Sequence, residues 1–501
     1  MLQTLIHPEA VAQWLRASVA GQLVCDSRQV RPGDGFVAWP GAATDGRRFV
    51  ADALRAGAGA AVVERSGAEG FGFDDEPRVL AVPGLKTQAG PIAAAFCGDP
   101  SCELEVVAFT GTNGKTSSAW WMAQLLSACQ LPSALVGTLG IGRPGLALRA
   151  TGLTTPDPVM LQHEMRGFVQ QGLRACAIEA SSIGLQEGRL NGTRVAVAVF
   201  TNLTQDHLDY HGGMEAYWAA KERLFAWPGL RAAVVNSDDA HGRGLLMRLR
   251  GRGLDLWSFA IERSARLQAQ SLELTPSGLT FELVERDEGG QIIERRALSL
   301  PLVGAYNVHN LLGVLASARA LGVALADAVR ACATITPVPG RMQQAEPDAA
   351  GAPLVLVDYA HTPDALEKAL QALQPLAQRR GGALWVVIGC GGDRDPGKRP
   401  LMGAVAAREA TQAVLTSDNP RSESPAAILA QMAAGLGGPN VHTVLDRAEA
   451  IALAVREAAA EDLVLIAGKG HEDYQDVGGV KTPFSDIEHA RRALARRQES
   501  A

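Results

Sequence analysis

The residues from Val106 to Ser118 read VVAFTGTNGKTSS, which is an apolar run, a glycine-containing loop and the start of a helix-forming stretch. This order predicts a phosphate-binding loop, because glycines let the backbone approach phosphate closely and a helix N-terminus presents free N–H groups. Phe109 occupies the first glycine position of the full phosphate-loop pattern, and a chance glycine turn is the alternative interpretation. We expect the loop at an exposed edge of the sheet. The predicted loop residues are Gly111, Thr112, Asn113, Gly114, Lys115 and Thr116.

Two further polar segments follow apolar runs of their own. ACAIEASS at positions 175–182 places Glu179 at a strand end, where it can serve as a second magnesium ligand or cap the next helix. FTNLTQDHLDYHG at 200–212 concentrates titratable groups at another strand end, and we interpret His207 as a metal ligand or phosphate contact. Zinc is disfavoured because this segment contains no cysteine thiol beside its titratable side chains. We predict a magnesium site formed by Thr116, Glu179 and His207.

Short apolar runs alternate with amphipathic stretches from about residue 101, which predicts βαβ units and a mainly parallel sheet. ITPVPGRMQ at 335–343, followed by EPDAAGAP, interrupts this pattern and indicates a domain boundary. A second series of predicted strands ends in the clusters YAHTP, CGGDRD, NPR and KGHED. Open parallel sheets bind ligands outside the carboxyl ends of their strands, so four clusters in that position predict a site.

The first hundred residues differ in pattern from the rest of the chain, because turn signals surround the short apolar run GFVAW. This pattern predicts a small α/β domain. A chain of 501 residues is also too long for one hydrophobic core. We therefore predict an α/β protein with three domains, at residues 1–100, 101–337 and 338–501.

The bulk composition excludes several classes of protein. A net charge of -6 gives no electrostatic footprint for nucleic acid. The seven cysteines are scattered without a C-x-x-C pair, which favours reduced thiols over a disulfide framework or a zinc site. No secretion signal or membrane-spanning apolar run is evident. We therefore expect a cytoplasmic protein with no membrane partner.

Ten short motifs occur in the order typical of one family: DSR-x-V-x-PGD, TGTNGKT, E-x-SS, FTNLTQDHLDYHG, YNVHN, GRM, DYAHTPDAL, GCGGDRD, DNPR and GKGHEDYQ. The chain thus resembles the Mur ligases along almost its whole length. The resemblance implies an N-terminal domain for a UDP moiety, a central ATPase domain and a C-terminal Rossmann-like domain for an incoming amino acid. ATP and Mg²⁺ are the implied cofactors.

The resemblance also implies ligand contacts. Ser27 and the turn at 45–48 would contact the uridine diphosphate. The implied contacts of the muramoyl dipeptide are Thr154, Thr155, Ser181, Glu187 and Arg189. Besides the phosphate loop, the residues implied to contact ATP are Asn307, Asn310, Arg341, Asp358 and His361. The residues implied to contact the incoming amino acid are Arg394, Asp418, Asn419, Arg421, Gly468 and Glu472. Ile183 replaces a histidine of close relatives, and Glu187 stands where some relatives have an amide.

Lys221 matches the lysine that the family carbamylates. A neutral amine that captures carbon dioxide becomes an anion, which can orient or ligate Mg²⁺ where an ammonium could not. Periodicity alone would make Lys221 a surface lysine. The resemblance therefore adds Lys221 to Lys115, Glu179 and His207 as a catalytic residue.

The implied reaction joins an amino acid to UDP-N-acetylmuramoyl-L-alanyl-D-glutamate through an acyl phosphate, and we expect a monomer. We predict meso-diaminopimelate over L-lysine because its second carboxylate needs a cation, and both Arg394 and Arg421 follow neighbouring predicted strands. A solvated turn at Arg421 is the alternative. The rival functions are a lysine-adding ligase, a folylpolyglutamate or cyanophycin-type ligase, and a nucleotide-dependent switch.

Overall fold

The computed structural model describes residues 2–41, 44–275, 278–345, 351–436 and 438–500. Within these ranges the strands form three large sheets and one hairpin. Part of the predicted boundary segment EPDAAGAP, residues 346–350, lies outside the described residues. Among the described residues no helix has the length and apolar character needed to cross a bilayer.

The first sheet contains four parallel strands in the order β1-β2-β3-β4. Its strands are almost entirely buried because helices cover the sheet. The elements are α1 (Pro8–Arg16), β1 (Leu23–Val24), β2 (Gly35–Ala38), α2 (Val50–Arg55), β3 (Ala60–Glu64), β4 (Val79–Val82) and α3 (Leu85–Phe96). Short 3₁₀ turns at Ser27–Gln29 and Gly46–Phe49 follow β1 and β2.

The second sheet contains ten strands in the order β14-β13-β12-β11-β10-β9-β5-β8-β6-β7. Its elements are β5 (Glu105–Thr110), α4 (Lys115–Ala128), β6 (Ser133–Gly137), β7 (Gly140–Gly142), α5 (Pro158–Gln170), β8 (Ala175–Glu179), α6 (Ser182–Gln186), β9 (Val197–Phe200), α7 (Leu208–His211), α8 (Met214–Glu222), β10 (Ala232–Asn236), α9 (Ala240–Leu249), β11 (Asp255–Ala260), β12 (Leu267–Thr275), β13 (Gly278–Arg286), β14 (Ile292–Leu300), α10 (Ala305–Ala320) and α11 (Leu325–Ala331).

Strand β5 lies inside this second sheet, with β8 on one side and β9 on the other. After β5 the chain first crosses to β6 and β8, and later returns to β9 on the opposite side. Such a reversal opens a crevice at the carboxyl end of the strand, where ligands bind in open parallel sheets. The expectation that the following loop lies at a sheet edge was therefore wrong. The antiparallel pairs β12–β13 and β13–β14 were also not predicted.

The third sheet has the order β15-β16-β20-β17-β18-β19, and a separate hairpin pairs β21 with β22. Its elements are β15 (Gln343–Gln344), β16 (Leu354–Asp358), α12 (Pro363–Arg380), β17 (Leu384–Cys390), α13 (Lys398–Glu409), β18 (Gln412–Ser417), α14 (Pro425–Met432), β19 (Val441–Thr443), α15 (Arg447–Glu457), β20 (Leu463–Ala467), β21 (Tyr474–Val477), β22 (Val480–Pro483) and α16 (Asp486–Ser500).

Parallel pairing of β16, β20, β17 and β18 brings their carboxyl ends to one edge. The four polar clusters found in the sequence therefore share that edge, as predicted. The three-domain α/β architecture is confirmed, while the exact boundaries at residues 100 and 337 stay predictions.

Arg447 of α15 and Asp486 of α16 form an ion pair with no solvent exposure of either side chain. Arg447 Nε and Nη2 each donate to one carboxylate oxygen over 2.7 Å. The guanidinium also donates to the carbonyl oxygens of Ser417 (3.2 Å) and Ala467 (2.9 Å), the last residues of β18 and β20. The pair therefore fixes the distance between two strand ends that precede predicted site residues.

Replacing Asp486 should destabilise the third domain, because Arg447 would remain buried without its counter-ion. For Asp486→Asn we expect a loss of about 3 to 5 kcal/mol in the free energy of unfolding, measured by urea denaturation. The control Asp327→Asn disrupts an exposed pair with Arg330 and should lose at most about 1 kcal/mol. Equal losses in the two variants would contradict this account.

Candidate active site

The loop after β5 approaches its neighbours so closely that two positions require glycine. Gly111 has φ +148°, and a Cβ there would lie 1.9 Å from Thr201 Oγ1. Gly114 has φ +87°, and a Cβ there would lie 2.1 Å from Asn310 Oδ1. Side chains are excluded at both positions, so the backbone itself lines the crevice and phosphate can approach its N–H groups.

Two lysine side chains converge on this loop. Lys115 Nζ donates to the carbonyl oxygens of Gly111 (2.9 Å) and Thr112 (2.8 Å). Lys221 Nζ donates to the same Gly111 oxygen over 2.8 Å. Among the residues that the structure describes, neither ammonium group forms a salt bridge with a carboxylate. Two positive charges that share one carbonyl oxygen repel each other, so the site favours an incoming anion.

Lys221 is only 1% exposed, so it does not have the surface position that periodicity alone would indicate. Its ammonium group lies 4.2 Å from the centre of the Tyr217 ring, and the Tyr217 hydroxyl is 3.1 Å from Thr112 Oγ1. Burial, followed by the charge of Lys115, lowers the pKa of Lys221 well below its ordinary 10.5. A neutral amine is therefore more accessible here than at an exposed lysine. Burial also lowers the pKa of Lys115.

The carboxylate of Glu179 is 1% exposed and lies at the end of β8, beside the loop. Its Oε2 accepts hydrogen bonds from the hydroxyls of Thr116 (2.9 Å) and Thr138 (3.3 Å). Its Oε1 accepts from the backbone N–H of Thr138 over 2.8 Å. The structure thus brings Glu179 and Thr116 together as the predicted magnesium site requires.

His207 precedes α7 in a left-handed conformation with φ +52°, and its Nε2 lies 3.4 Å from Asp206 Oδ2. Burial lowers the pKa of His207, although the charge of Asp206 opposes it. Burial alone would raise the pKa of Asp206, but the charges of His207 and His361 outweigh it, so that pKa is lowered. Within the described ranges, no three His, Cys, Asp or Glu side chains surround a common metal position. Mg²⁺ usually keeps several waters and is held by one or two carboxylates together with substrate phosphates.

The C-terminal domain contributes to the same crevice. Arg341 Nη2 donates to Thr116 Oγ1 (3.2 Å), and its guanidinium lies 4.4 Å from the centre of the Tyr359 ring. The buried Arg341 Nε has no hydrogen-bond partner among the residues that the structure describes, so there it is an unused donor. His361 Nδ1 lies 2.8 Å from the Tyr359 carbonyl oxygen, and burial lowers the pKa of His361 to about 4. His361 is therefore neutral at pH 7.

The other residues predicted to contact ATP have structural partners. Asp358 accepts backbone hydrogen bonds from Met342 and Ala360, both at 2.8 Å, and burial raises its pKa. Asn310 Nδ2 donates to Asn307 Oδ1 over 3.3 Å. Asn113 also joins the two domains here, since its Nδ2 donates to Asp364 Oδ2 over 3.3 Å. Within the central domain, Asn113 N donates to Asn202 Oδ1 over 3.0 Å.

A second group of predicted residues lies beside Glu179. The hydroxyl of Thr155 donates to the Glu179 carbonyl oxygen (2.7 Å) and lies 3.0 Å from Ser181 Oγ, which caps α6. Arg189 Nη1 donates to the Thr155 carbonyl oxygen over 3.0 Å. Thr154 Oγ1 lies 3.1 Å from Thr138 Oγ1, which connects this group to the magnesium site.

Glu187 connects the first domain to this region. Its Oε2 lies 2.7 Å from Lys86 Nζ of α3, and its Oε1 accepts from the Tyr210 hydroxyl over 2.5 Å. Hydrogen bonds from Lys86, then from Tyr210, lower the pKa of Glu187.

Ser27 lies in the first domain at the start of a 3₁₀ turn capped by Asp26. The predicted turn at 45–48 is held by Arg47, which pairs with Asp45 over 2.7 Å.

The residues predicted to bind the amino acid gather at the carboxyl edge of the third sheet. Asn419 Nδ2 donates to Glu472 Oε2 over 2.7 Å. Lys469, with no solvent exposure, donates to Asn419 Oδ1 (3.0 Å) and Glu472 Oε2 (3.1 Å). Gly468 has φ +112°, and a Cβ there would lie 2.8 Å from Asp418 Oδ2. Asn419 is therefore committed to protein contacts, whereas no hydrogen bond is seen at Glu472 Oε1 among the described residues.

The two predicted arginines differ in their surroundings. Arg421 Nη1 donates to the Gly392 carbonyl oxygen over 2.6 Å, while Arg394 is exposed and donates to the Asp393 carbonyl oxygen over 3.2 Å. Both follow neighbouring strands, as predicted.

Sequence reasoning missed three contributors to the site. Lys469 stands within the recognised motif GKGHEDYQ, but nothing in the motif indicates that its amine is buried. Tyr217 and Thr138 lie outside the polar clusters. Tyr217 precedes Lys221 by four residues in α8, so helical spacing was the signal that could have found it. Only the fold brings Thr138 to Glu179.

Family models match three segments of the chain: "Mur ligase family, catalytic domain" at residues 21–86, "Mur ligase middle domain" at 109–318 and "Mur ligase, glutamate ligase domain" at 340–470. The chain belongs to the Mur ligase family. The loop, the buried Glu179 and the third-domain residues Asn419 and Lys469 lie within the matched segments.

Several curated relatives of this chain share one name. The UDP-N-acetylmuramoyl-L-alanyl-D-glutamate--2,6-diaminopimelate ligase of Acidovorax sp. (strain JS42) is 56% identical, with 99% of each chain covered. The ligase of the same name from Janthinobacterium sp. (strain Marseille) is 47% identical, with 97% of each chain covered. A solved structure of such a ligase is 36% identical with a TM-score of 0.64, covering 95% of each chain.

The buried amine of Lys221 should make stability depend on pH. Above its unfolded-state pKa near 10.5, a lysine is neutral in both the folded and the unfolded chain and does not lower the free energy of unfolding. As the pH falls from there towards the lowered folded-state pKa, the unfolded chain binds a proton that the folded chain does not, so the free energy of unfolding decreases. In CO₂-free buffer, Lys221→Met should therefore gain free energy of unfolding relative to the unmodified chain as the pH is lowered below about 10.5. The control Lys368→Met, at an exposed lysine of α12, should show no such trend. A pH-independent difference for Lys221→Met would contradict this interpretation.

Proposed function

We propose that this chain is an ATP-dependent amide ligase of peptidoglycan synthesis. It adds meso-diaminopimelate to the D-glutamyl residue of UDP-N-acetylmuramoyl-L-alanyl-D-glutamate through an acyl phosphate. The observation that carries the proposal is the convergence of Lys115 and Lys221 on the Gly111 carbonyl oxygen, beside the Thr116–Glu179 hydrogen bond. This arrangement suits a phosphate chain and a magnesium ion better than a neutral ligand.

The residues of the crevice fit ATP and Mg²⁺. The glycine backbone leaves space for phosphate, and Lys115 can turn from the loop carbonyls towards it. Arg341 has an N–H group at Nε that no acceptor among the described residues uses. Thr116, Glu179 and His207 would hold Mg²⁺, which when bound neutralises phosphate charge. Asn307, Asn310, Asp358 and His361 would complete the nucleotide site.

The reaction begins at a carboxylate, which is a poor electrophile until it is activated. Transfer of the γ-phosphoryl group to the free side-chain carboxylate of the D-glutamyl residue forms an acyl phosphate. The amine of the incoming amino acid then attacks this carbon, phosphate leaves and an amide remains. Lys115 would stabilise charge on the transferring group, while Arg189 would hold the other carboxylate of the D-glutamyl residue through paired hydrogen bonds.

Lys221 would act as a carbamate. Its lowered pKa favours the neutral amine that captures carbon dioxide, and the product is an anion beside Lys115 and the proposed magnesium site. The repulsion between the two ammonium groups would therefore be replaced by attraction between the Lys115 ammonium and the Lys221 carbamate.

The choice of diaminopimelate follows from charge. The far end of this amino acid carries a carboxylate and an ammonium, whereas lysine carries the ammonium alone. Arg421 and Arg394 would bind the carboxylates. Glu472 Oε1, at which no hydrogen bond is seen within the described ranges, would accept from an ammonium. Asp418, Asn419 and Gly468 would form the rest of the pocket. The names of the full-length relatives support the same substrate over lysine, folylpolyglutamate or cyanophycin-type chemistry.

The remaining assignments follow from this reaction. Residues 1–100 would bind the UDP moiety, with Ser27 and the turn at 45–48 as contacts. Thr154, Thr155, Ser181 and Glu187 would contact the muramoyl dipeptide. Residues 101–337 would bind ATP, and residues 338–501 the amino acid. We propose that the enzyme works as a cytoplasmic monomer.

Mass analysis of the product formed from ATP, the UDP-muramoyl dipeptide and a panel of diamino acids tests the proposal. We expect the mass of the diaminopimelate adduct and little lysine adduct. Arg421→Ala should reduce kcat/KM for diaminopimelate by about 10- to 100-fold, because a charged hydrogen-bond partner is lost, and should change the lysine reaction little. Equal use of both amino acids by the unmodified enzyme would contradict the diaminopimelate assignment. Absence of any amide product would contradict the ligase assignment.

A further inference from the structure

Two loops at the carboxyl edge of the third sheet are joined by side chains that no ligand assignment explains. The first loop (Gly391–Arg394) follows β17, and the second (Asn419–Glu423) follows β18. We call the joining group, formed by Asp393, Arg399, Ser422 and Glu423, the loop clamp.

The centre of the loop clamp is a buried guanidinium. Arg399 of α13 is 1% exposed and donates to Glu423 through Nη1 (2.9 Å) and Nη2 (2.7 Å). It also donates to Gln431 Oε1 over 2.7 Å and to the Gly391 carbonyl oxygen over 3.3 Å. Arg399 therefore binds both loops and α14 at once.

The acidic members of the clamp complete the connection. Glu423 Oε1 accepts from the backbone N–H of Asp393 over 2.6 Å. Asp393 in return accepts from the Ser422 hydroxyl (2.6 Å) and backbone N–H (3.2 Å). The hydrogen bonds from Arg399 lower the pKa of Glu423 to about 2, so the clamp stays ionised at any ordinary assay pH.

Each loop also contains a strained residue. Asp393 has φ +51° and Arg421 has φ +52°, a left-handed conformation that is unfavourable for residues other than glycine. Asp393 directly precedes Arg394, and Arg421 directly precedes Ser422. The Arg421 backbone is held from its other side by β21, since its N–H donates to the Asp476 carbonyl oxygen over 3.0 Å. Such conformations persist only where surrounding contacts impose them, and the clamp supplies those contacts.

We propose that Arg399 and Glu423 are positioning residues that set the spacing of Arg394 and Arg421, and thereby the preference for an amino acid with two terminal carboxylates. This inference rests on the proposed function, which assigns those two arginines to the incoming amino acid. Arg399 and Glu423 act through the loop backbones and do not touch the substrate.

A positioning role has a kinetic signature that a purely structural role lacks. If the clamp fixes the amino-acid pocket, weakening it should raise the KM for diaminopimelate and reduce the ratio of kcat/KM for diaminopimelate to that for lysine. The KM values for ATP and the UDP-muramoyl dipeptide should stay unchanged, because those sites lie in other parts of the crevice. A general loss of folded enzyme would instead lower the apparent kcat with every substrate and leave the KM values and the ratio unaltered.

Two variants test this in the full-length enzyme. Glu423→Gln keeps the length of the side chain but removes the charge that faces Arg399. Ser422→Ala removes one hydroxyl contact of Asp393 and leaves the buried Arg399 pair intact, so it stays informative if Glu423→Gln does not fold. The matched control is Arg408→Gln, because Arg408 lies on the same helix and pairs with Glu367 and Glu409 at the surface.

For Glu423→Gln we expect the KM for diaminopimelate to rise roughly 10- to 100-fold, since small displacements of substrate-positioning groups have effects of this size. Ser422→Ala should raise the KM for diaminopimelate by a smaller factor. Arg408→Gln should have the same KM as the unmodified enzyme. The inference is wrong if folded Glu423→Gln and Ser422→Ala both keep the unmodified KM and discrimination ratio. If the unmodified chain uses a different amino acid, the substrate assignment fails instead, and the clamp is tested by the KM for that amino acid.

Discussion

The carbonyl oxygen of Gly111 accepts hydrogen bonds from two ammonium groups, those of Lys115 and Lys221, and much of the site follows from this shared contact. Like charges this close repel, and burial lowers the pKa of both amines. A protein can reduce that repulsion by binding an anion between the amines, or by converting one amine into an anion. The proposed phosphate chain does the first, and a carbamate at Lys221 would do the second.

The fold makes this contact possible because β5 is an interior strand at the point where the chain reverses direction across the sheet. The loop that follows is therefore flanked by the ends of β8 and β9, which supply Glu179 and Thr201. Gly111 cannot carry a side chain because Thr201 occupies that space. The third domain reaches the same crevice through Arg341, so nucleotide and amino-acid sites are physically connected. A ligase needs that connection, since its two half-reactions share one carboxyl carbon.

The chain's periodicity and motifs predicted the parallel strands, the phosphate loop and the shared edge of the third sheet, because those features depend on local patterns. Local sequence patterns did not predict the burial of Lys221. The burial of its amine depends on packing against the loop at Gly111, which is 110 positions away in the sequence. The antiparallel strands β12 to β14 were also missed. The loop clamp was not predicted because it depends, like the burial of Lys221, on contacts between residues far apart in the sequence. Arg399 and Glu423 are 24 positions apart, and the parallel pairing of β17 with β18 brings together the two loops that they join.

The most direct test of the central claim is the rate of ADP release from ATP and Mg²⁺ with the UDP-muramoyl dipeptide and diaminopimelate present, compared between the unmodified chain and Lys115→Ala. If Lys115 neutralises charge on the transferring phosphoryl group, the variant should lose turnover while its circular dichroism spectrum stays unchanged. In the unmodified chain, ADP release should require the UDP-muramoyl dipeptide. Unchanged ADP release by Lys115→Ala would contradict the assignment of this loop to phosphoryl transfer.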